Sequence, residues 1–169
     1  MTINNMTEEK TFITHNFEET QKVAEEFAKK LKGGEVIALH GELGAGKTTF
    51  VQGLAKGLGI ERRIISPTFI IVRTYKINIK NQKLNIKNTR FAARRANKKS
   101  KMFYHIDLYR IESEKDLEGL GVREILNDQN SIVAIEWAEK LGKLLPKKRV
   151  DIYFDYISES KRRIIINYE

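Results

Sequence analysis

The sequence predicts a three-layer α/β fold with a mixed central sheet and a C-terminal β-hairpin. Three observations point there. Short apolar segments of strand character alternate with segments of helical periodicity. A glycine-rich loop joins one such strand, Glu35 to His40, to a helix. Two alternating segments close the chain, separated by the polar Ser158 to Lys161, as in a hairpin.

Each element has its own local reason. Thr11 to Thr14 reads as a short strand. Asn16 is placed to cap a helix, with Glu19 three residues on in the capping-box position. Val23, Phe27 and Leu31, with Ala24 and Ala28 beside them, form one apolar stripe at helical spacing. Gly33-Gly34 ends that helix, and Glu35 to His40 has the near-continuous apolar character of a buried central strand. A helix is expected from about Thr48 to Leu58, closing near Gly59. Ser66-Pro67-Thr68 then breaks the chain before a β-rich run, Phe69 to Tyr75. Met102 to Tyr109 reads as another apolar strand, and Ser113 to Leu126 as helical pieces interrupted at Gly119 and Gly121. Ser131 to Ile135 is a buried strand leading into Glu136-Trp137. In the final hairpin, Val150, Ile152, Phe154 and Tyr156 share one face of the first strand, and Ile164, Ile166 and Tyr168 one face of the second.

With 169 residues, 41% of them hydrophobic, the chain is expected to form a single domain, residues 1–169, with a core of its own. Cysteine is absent, which excludes disulfides and thiolate metal sites. No apolar run approaches the roughly 20 residues of a membrane helix, and Met1 to Lys10 lacks an apolar signal core, so a cytoplasmic location is expected. The net charge of +9 is concentrated. Lys76 to Lys101, a stretch of 26 residues, holds ten Lys or Arg and no Asp or Glu; outside it 21 basic and 22 acidic residues remain, a net of −1. A global argument from basicity to nucleic-acid binding therefore fails, and only a local one stays open.

Gly41-Glu42-Leu43-Gly44-Ala45-Gly46-Lys47-Thr48 matches G-x-x-x-x-G-K-[ST] at every fixed position. The glycines let the backbone curl so that successive N–H groups converge on phosphate oxygens, and the helix that follows presents its positive end to the same anion. Lys47 can reach the terminal phosphates, and the Thr48 hydroxyl can ligate magnesium. The preceding strand and following helix supply the context that separates a phosphate loop from a chance glycine-rich turn. The segment from Glu42 through Thr49 is thus expected to bind ATP with magnesium, which makes the fold a P-loop NTPase fold.

Such a loop needs carboxylates near the metal, at the ends of neighbouring strands. Asp107 follows Phe103-Tyr104-His105-Ile106, and Glu136 follows Ile132-Val133-Ala134-Ile135. A carboxylate at such a strand end points into the crevice where open α/β sheets bind ligands. One can hold magnesium, directly or through water, while the other orients or deprotonates the attacking water; the sequence leaves open which does which. His105 has no second His or Cys at ligand spacing and reads as a structural or crevice-lining residue. Arg110 reads as a carboxylate partner rather than an arginine finger. Trp137, the only tryptophan, is equally suited to core and site.

Taken together, the motifs resemble the TsaE (YjeE) family, the P-loop ATPases of bacterial tRNA threonylcarbamoyladenosine synthesis. The resemblance rests on Gly41 to Thr49, on Ser66-Pro67-Thr68-Phe69, on His105-Ile106-Asp107-Leu108-Tyr109-Arg110, on Glu118 to Gly121 and on Glu136-Trp137, in that order. It implies that Lys47 and Thr48 serve phosphate and magnesium, that Thr68 acts as a switch threonine sensing the γ-phosphate or metal, and that Asp107 and Glu136 are essential carboxylates. It implies that the start of the first helix, around Phe17, borders the adenine. The implied partners are TsaB-like and TsaD-like proteins. TsaD transfers the threonylcarbamoyl group to tRNA, and ATP hydrolysis by the small subunit supports turnover, with weak activity when it is alone.

The resemblance does not extend to 76–101. That segment carries an imperfect repeat, Lys76-Ile77-Asn78-Ile79-Lys80-Asn81 and Lys83-Leu84-Asn85-Ile86-Lys87-Asn88, and reads as a basic low-complexity insertion. Its composition suits a solvated loop, a tRNA-backbone contact or an added hairpin. Two other functions compete with the ATPase reading: a small-molecule P-loop kinase, and a nucleic-acid-binding module acting through the insertion.

Overall fold

The computed structural model describes residues 8–66, 71–77 and 101–168. Thr68 and most of the expected insertion lie outside the described residues. Seven strands form one sheet: β1 (Glu8–Thr14), β2 (Val36–His40), β3 (Val72–Lys76), β4 (Met102–Asp107), β5 (Ile132–Glu136), β6 (Val150–Tyr156) and β7 (Arg162–Tyr168). Their order across the sheet is β1-β7-β6-β2-β5-β4-β3. β6, β2, β5 and β4 are mutually parallel, while β7, β1 and β3 pair antiparallel at the two wings. The sheet is therefore mixed, and β6–β7 is the expected C-terminal hairpin, closed by the Ile157 N–H to Lys161 carbonyl bond of 3.1 Å.

Alternation along β2 divides the core into two layers. Ile37 and Leu39 face a cluster completed by helices α1 (Phe17–Ala28) and α2 (Lys47–Gly57), through Phe27, Phe50 and Leu54. Val36 and Ala38 face the opposite cluster, with Ile106, Leu117, Leu126 and Leu141. There two 3₁₀ segments, Glu114–Leu117 and Ala138–Leu144, and the short helix α3 (Val122–Asn127) cover the sheet. Layers on both faces explain why β2 and β5 are buried along nearly their whole length.

Local chemistry accounts for the element ends. Asn16 Oδ1 accepts the Glu19 N–H at 2.8 Å, as expected of an N-cap, but the Glu19 carboxylate reaches past Asn16 to the His15 N–H at 2.8 Å. α2 begins at Lys47, a residue before the expected start. β4 stops at Asp107 rather than Tyr109, because Asp107 Oδ1 accepts the Tyr109 N–H at 3.0 Å and turns the chain out of the sheet. Tyr156, last on the face of β6 that carries Val150, Ile152 and Phe154, is 61% exposed, with the Arg162 guanidinium 4.5 Å above its ring. Lys76, Ile77 and Lys101, counted in sequence with the insertion, instead continue the β3–β4 pairing: Lys76 faces Met102, and the Ile77 N–H donates to the Lys101 carbonyl at 2.9 Å.

Candidate nucleotide site

β2 delivers the chain to Gly41 at the carboxyl end of the parallel strands, where the glycine-rich loop turns into α2. Gly46 caps α2 with φ of +107°, a left-handed conformation in which any side chain would be strained. The loop is held by its own lysine: Lys47 Nζ donates to the carbonyls of Gly41 at 2.5 Å and Glu42 at 2.9 Å. The neighbouring strands place the carboxylates. β4 and β5 are parallel, with Asp107 directly beside Glu136 in register, so both expected acids reach the same crevice from adjacent strand ends.

The contacts within the crevice are specific. Thr48 Oγ1 lies 2.9 Å from both Glu136 carboxylate oxygens. Fully buried His105 sets Nε2 2.8 Å from Glu136 Oε1. Ser66 Oγ donates to Asp107 Oδ2 at 2.7 Å. The Trp137 ring, held by a left-handed backbone with φ of 59°, sits with its centroid 4.0 Å from Lys47 Nζ. Burial pushes the Lys47 ammonium below its ordinary pKa, and the nearby charges of Glu136, Glu139, Asp107 and Glu42 oppose that shift.

A cavity of about 250 Å³ brings together Leu43, Gly44, Gly46, Lys47, Thr48, Thr49, Asp107 and Glu136. The side chain of Ala45 packs into the core instead, and Glu42 contributes its carbonyl to the loop. Phe17 lines an adjoining cavity of about 290 Å³ that shares Gly44, Gly46 and Thr49 with the first and adds Glu159, Ser160 and Arg162. Ser66 and Tyr109 also line the main cavity and were not singled out individually by sequence reasoning, although both stand inside the quoted signatures. The donor set fits magnesium. Thr48, Asp107 and Glu136 offer only oxygen, the ligand type of a hard cation. No three His, Cys, Asp or Glu cluster as metal ligands among the described residues, so a cation here would complete its shell with phosphate oxygens and water.

Comparison with known proteins agrees with this geometry. Residues 14–164 match the family described as "Threonylcarbamoyl adenosine biosynthesis protein TsaE". The tRNA threonylcarbamoyladenosine biosynthesis protein TsaE of Bacillus subtilis is 36% identical over 151 residues, covering 89% of this chain and 80% of that protein. Its counterpart in Borreliella burgdorferi is 40% identical over 118 residues, 69% of each chain. The crystal structure of YdiB from Bacillus subtilis superposes with a TM-score of 0.71 at 28% identity, covering 98% of this chain and 88% of that one. With a P-loop NTPase fold, the family's motifs in place and relatives matched over most of their length, this chain belongs to the TsaE family.

Proposed function

We propose that the chain binds ATP with magnesium and hydrolyses it as a subunit of the cytoplasmic machinery that makes threonylcarbamoyladenosine in tRNA. In this reading the whole chain serves as one ATPase domain. The observation that carries the reading is the convergence of Lys47, Thr48, Asp107 and Glu136 at the carboxyl ends of adjacent parallel strands. The loop amides and Lys47 hold the phosphates, with Lys47 exchanging its carbonyl partners for phosphate oxygens. Thr48 and the two carboxylates would hold magnesium, which neutralises charge on the phosphates when bound. One carboxylate positions a water on the γ-phosphorus and receives its proton as the bond to the β–γ bridging oxygen breaks, so that ADP and phosphate leave. Thr68 serves as the γ-phosphate sensor. Phe17 and the cavity beside it receive the base.

ATP turnover in this scheme supports TsaB-like and TsaD-like partners, and tRNA is met through their complex. The test is ATPase activity of the full chain with and without such a TsaB–TsaD pair. Stimulation by the pair is expected, and its absence overturns the assignment. Lys47→Ala should lower ATP affinity about tenfold or more, because a charge-assisted phosphate contact is worth roughly 1.5–3 kcal/mol. Calorimetry showing unchanged affinity would remove the phosphate loop from the scheme.

A further inference from the structure

His40 is a histidine that the nucleotide chemistry above does not use. It ends β2 and immediately precedes Gly41 of the phosphate loop. Both of its ring nitrogens face carboxylates. Nε2 lies 2.7 Å from Asp151 Oδ1, and Nδ1 lies 3.3 Å from Glu139 Oε2. The ring is stacked on Tyr153, with centroids 4.8 Å apart and planes 19° from parallel. Asp151 is buried and is bonded a second time by Arg149, at 2.8 Å. Glu139 is half-exposed, and its charge is felt at the Lys47 ammonium. The titratable and charged groups around the imidazole are therefore Asp151 and Tyr153 from β6, Arg149 just before it, and Glu139 from the 3₁₀ segment Ala138–Leu144.

The two ties respond differently to the imidazole proton. An imidazolium donates from both nitrogens, whereas a neutral imidazole has one N–H. The buried Asp151 carboxylate takes that one donor, because water cannot replace it there. Nδ1 then offers Glu139 a lone pair instead of a proton, and the half-exposed carboxylate turns to water. Only the Glu139 tie thus depends on the charge of His40. Glu139 stands two residues after Trp137. Trp137 has a left-handed backbone with φ of 59°, a strained conformation for an aromatic residue that persists only where neighbours hold it. Ala138 and Leu141 hold the turn from the core, and Glu139 reaches back to β2. We propose that His40 is a positioning residue: as an imidazolium it holds Glu139 and thereby fixes the turn that keeps the Trp137 ring over the Lys47 ammonium, and loss of its proton loosens that cover. This device belongs to the protein before nucleotide arrives and does not rest on the ATPase reading.

The test is a titration of tryptophan emission in the nucleotide-free full chain between about pH 5 and 8, the window in which an imidazole ordinarily changes charge. Trp137 is the only tryptophan, so the signal is its own. A single one-proton transition is expected. His40→Phe keeps a ring against Tyr153 but donates nothing, so its emission should stay at the high-pH level of the wild type throughout. Glu139→Gln should do the opposite. Its amide donates to a neutral Nδ1 and its oxygen accepts from a charged one, so the tie persists and emission stays at the low-pH level. This second variant changes a half-exposed side chain and leaves Asp151 both of its partners, so it decides the matter even if His40→Phe fails to fold. Flat emission in the wild type overturns the proposal. So does a transition that either variant retains, which would belong to His105, His15 or Lys47. Emission of Glu139→Gln fixed at the high-pH level would overturn it as well, since the tie would then have no part in placing the ring.

Discussion

Glu136 sits between two donors from different elements: the Thr48 hydroxyl from α2 and the His105 ring from β4. Both contacts restrict where its carboxylate points. Asp107 is held from a separate direction by Ser66 and by the Tyr109 N–H. The two acids are thus oriented independently, and their substitutions should have separable effects. Glu136→Gln keeps the shape but removes the charge, so partner-stimulated hydrolysis should fall at least about tenfold while ATP still binds. Asp107→Asn should instead weaken the magnesium dependence of ATP binding. Normal turnover by both variants in the presence of partners would show that neither carboxylate is catalytic. Trp137 offers a direct readout of the ground state. It is the only tryptophan, and its ring stacks over the Lys47 ammonium. If Lys47 leaves the ring for phosphate, the emission of the wild-type chain should change saturably with ATP. An emission unaffected by saturating ATP would mean that the lysine stays where it is.

The two helices over one face of the sheet meet more closely than their sequences suggest. Gly53 and Gly57, one turn apart on α2, lie against α1: a Cβ on Gly53 would come within 2.3 Å of the Gln21 carbonyl oxygen, and one on Gly57 within 2.7 Å of the Ala28 Cβ. In an isolated helix Gly→Ala stabilises, but here the backbone of α1 occupies the space. Gly53→Ala should therefore destabilise by about 1–3 kcal/mol, seen as a lowered melting temperature in calorimetry. An unchanged or raised value would show that the helices separate freely. This contact marks the limit of what was legible in sequence. Val23, Phe27 and Leu31 announce α1 by their spacing, and β2 and β5 announce themselves as apolar runs, because burial on one or both faces writes a period into the chain. The close approach of two helices writes only two glycines. Equally, Val150, Ile152 and Phe154 were legible as one face of β6, whereas buried Asp151 on the other face makes sense only beside His40, at 2.7 Å, and Arg149, at 2.8 Å. The loop residues and both acids could be read from motif and strand-end position. The Glu136–His105 pair depends on which strands become neighbours, and local sequence does not encode that.

For the molecule as a whole, charge and fold are nearly separate. Outside 76–101 the chain carries a net charge of −1. The ends of that segment are nonetheless structural: Ile77 is buried and bonded to Lys101, which continues the pairing of the two strands. A deletion of the whole stretch would cut into β3, so the informative excision removes residues 78–100 only. Ile77 and Lys101 already face each other as an antiparallel pair, and an Asn-Gly dipeptide can close such a pair as a tight type I′ turn. The excision removes eight Lys and Arg and no acid, taking the net charge from +9 to +1. The excision keeps the Ile77–Lys101 bond that closes the described pairing, and the composition of the excised segment suits a solvated loop, so melting temperature and ATP affinity should be unchanged. If the segment touches tRNA, it does so through phosphates and without sequence preference, and its contribution should weaken steeply with salt. Association of the full partner complex with tRNA should then lose affinity on excision at low salt and converge with wild type at high salt. A collapsed melting temperature or lost nucleotide binding would instead make the segment part of the fold, and unchanged tRNA association at low salt would leave its charge without a role in tRNA binding.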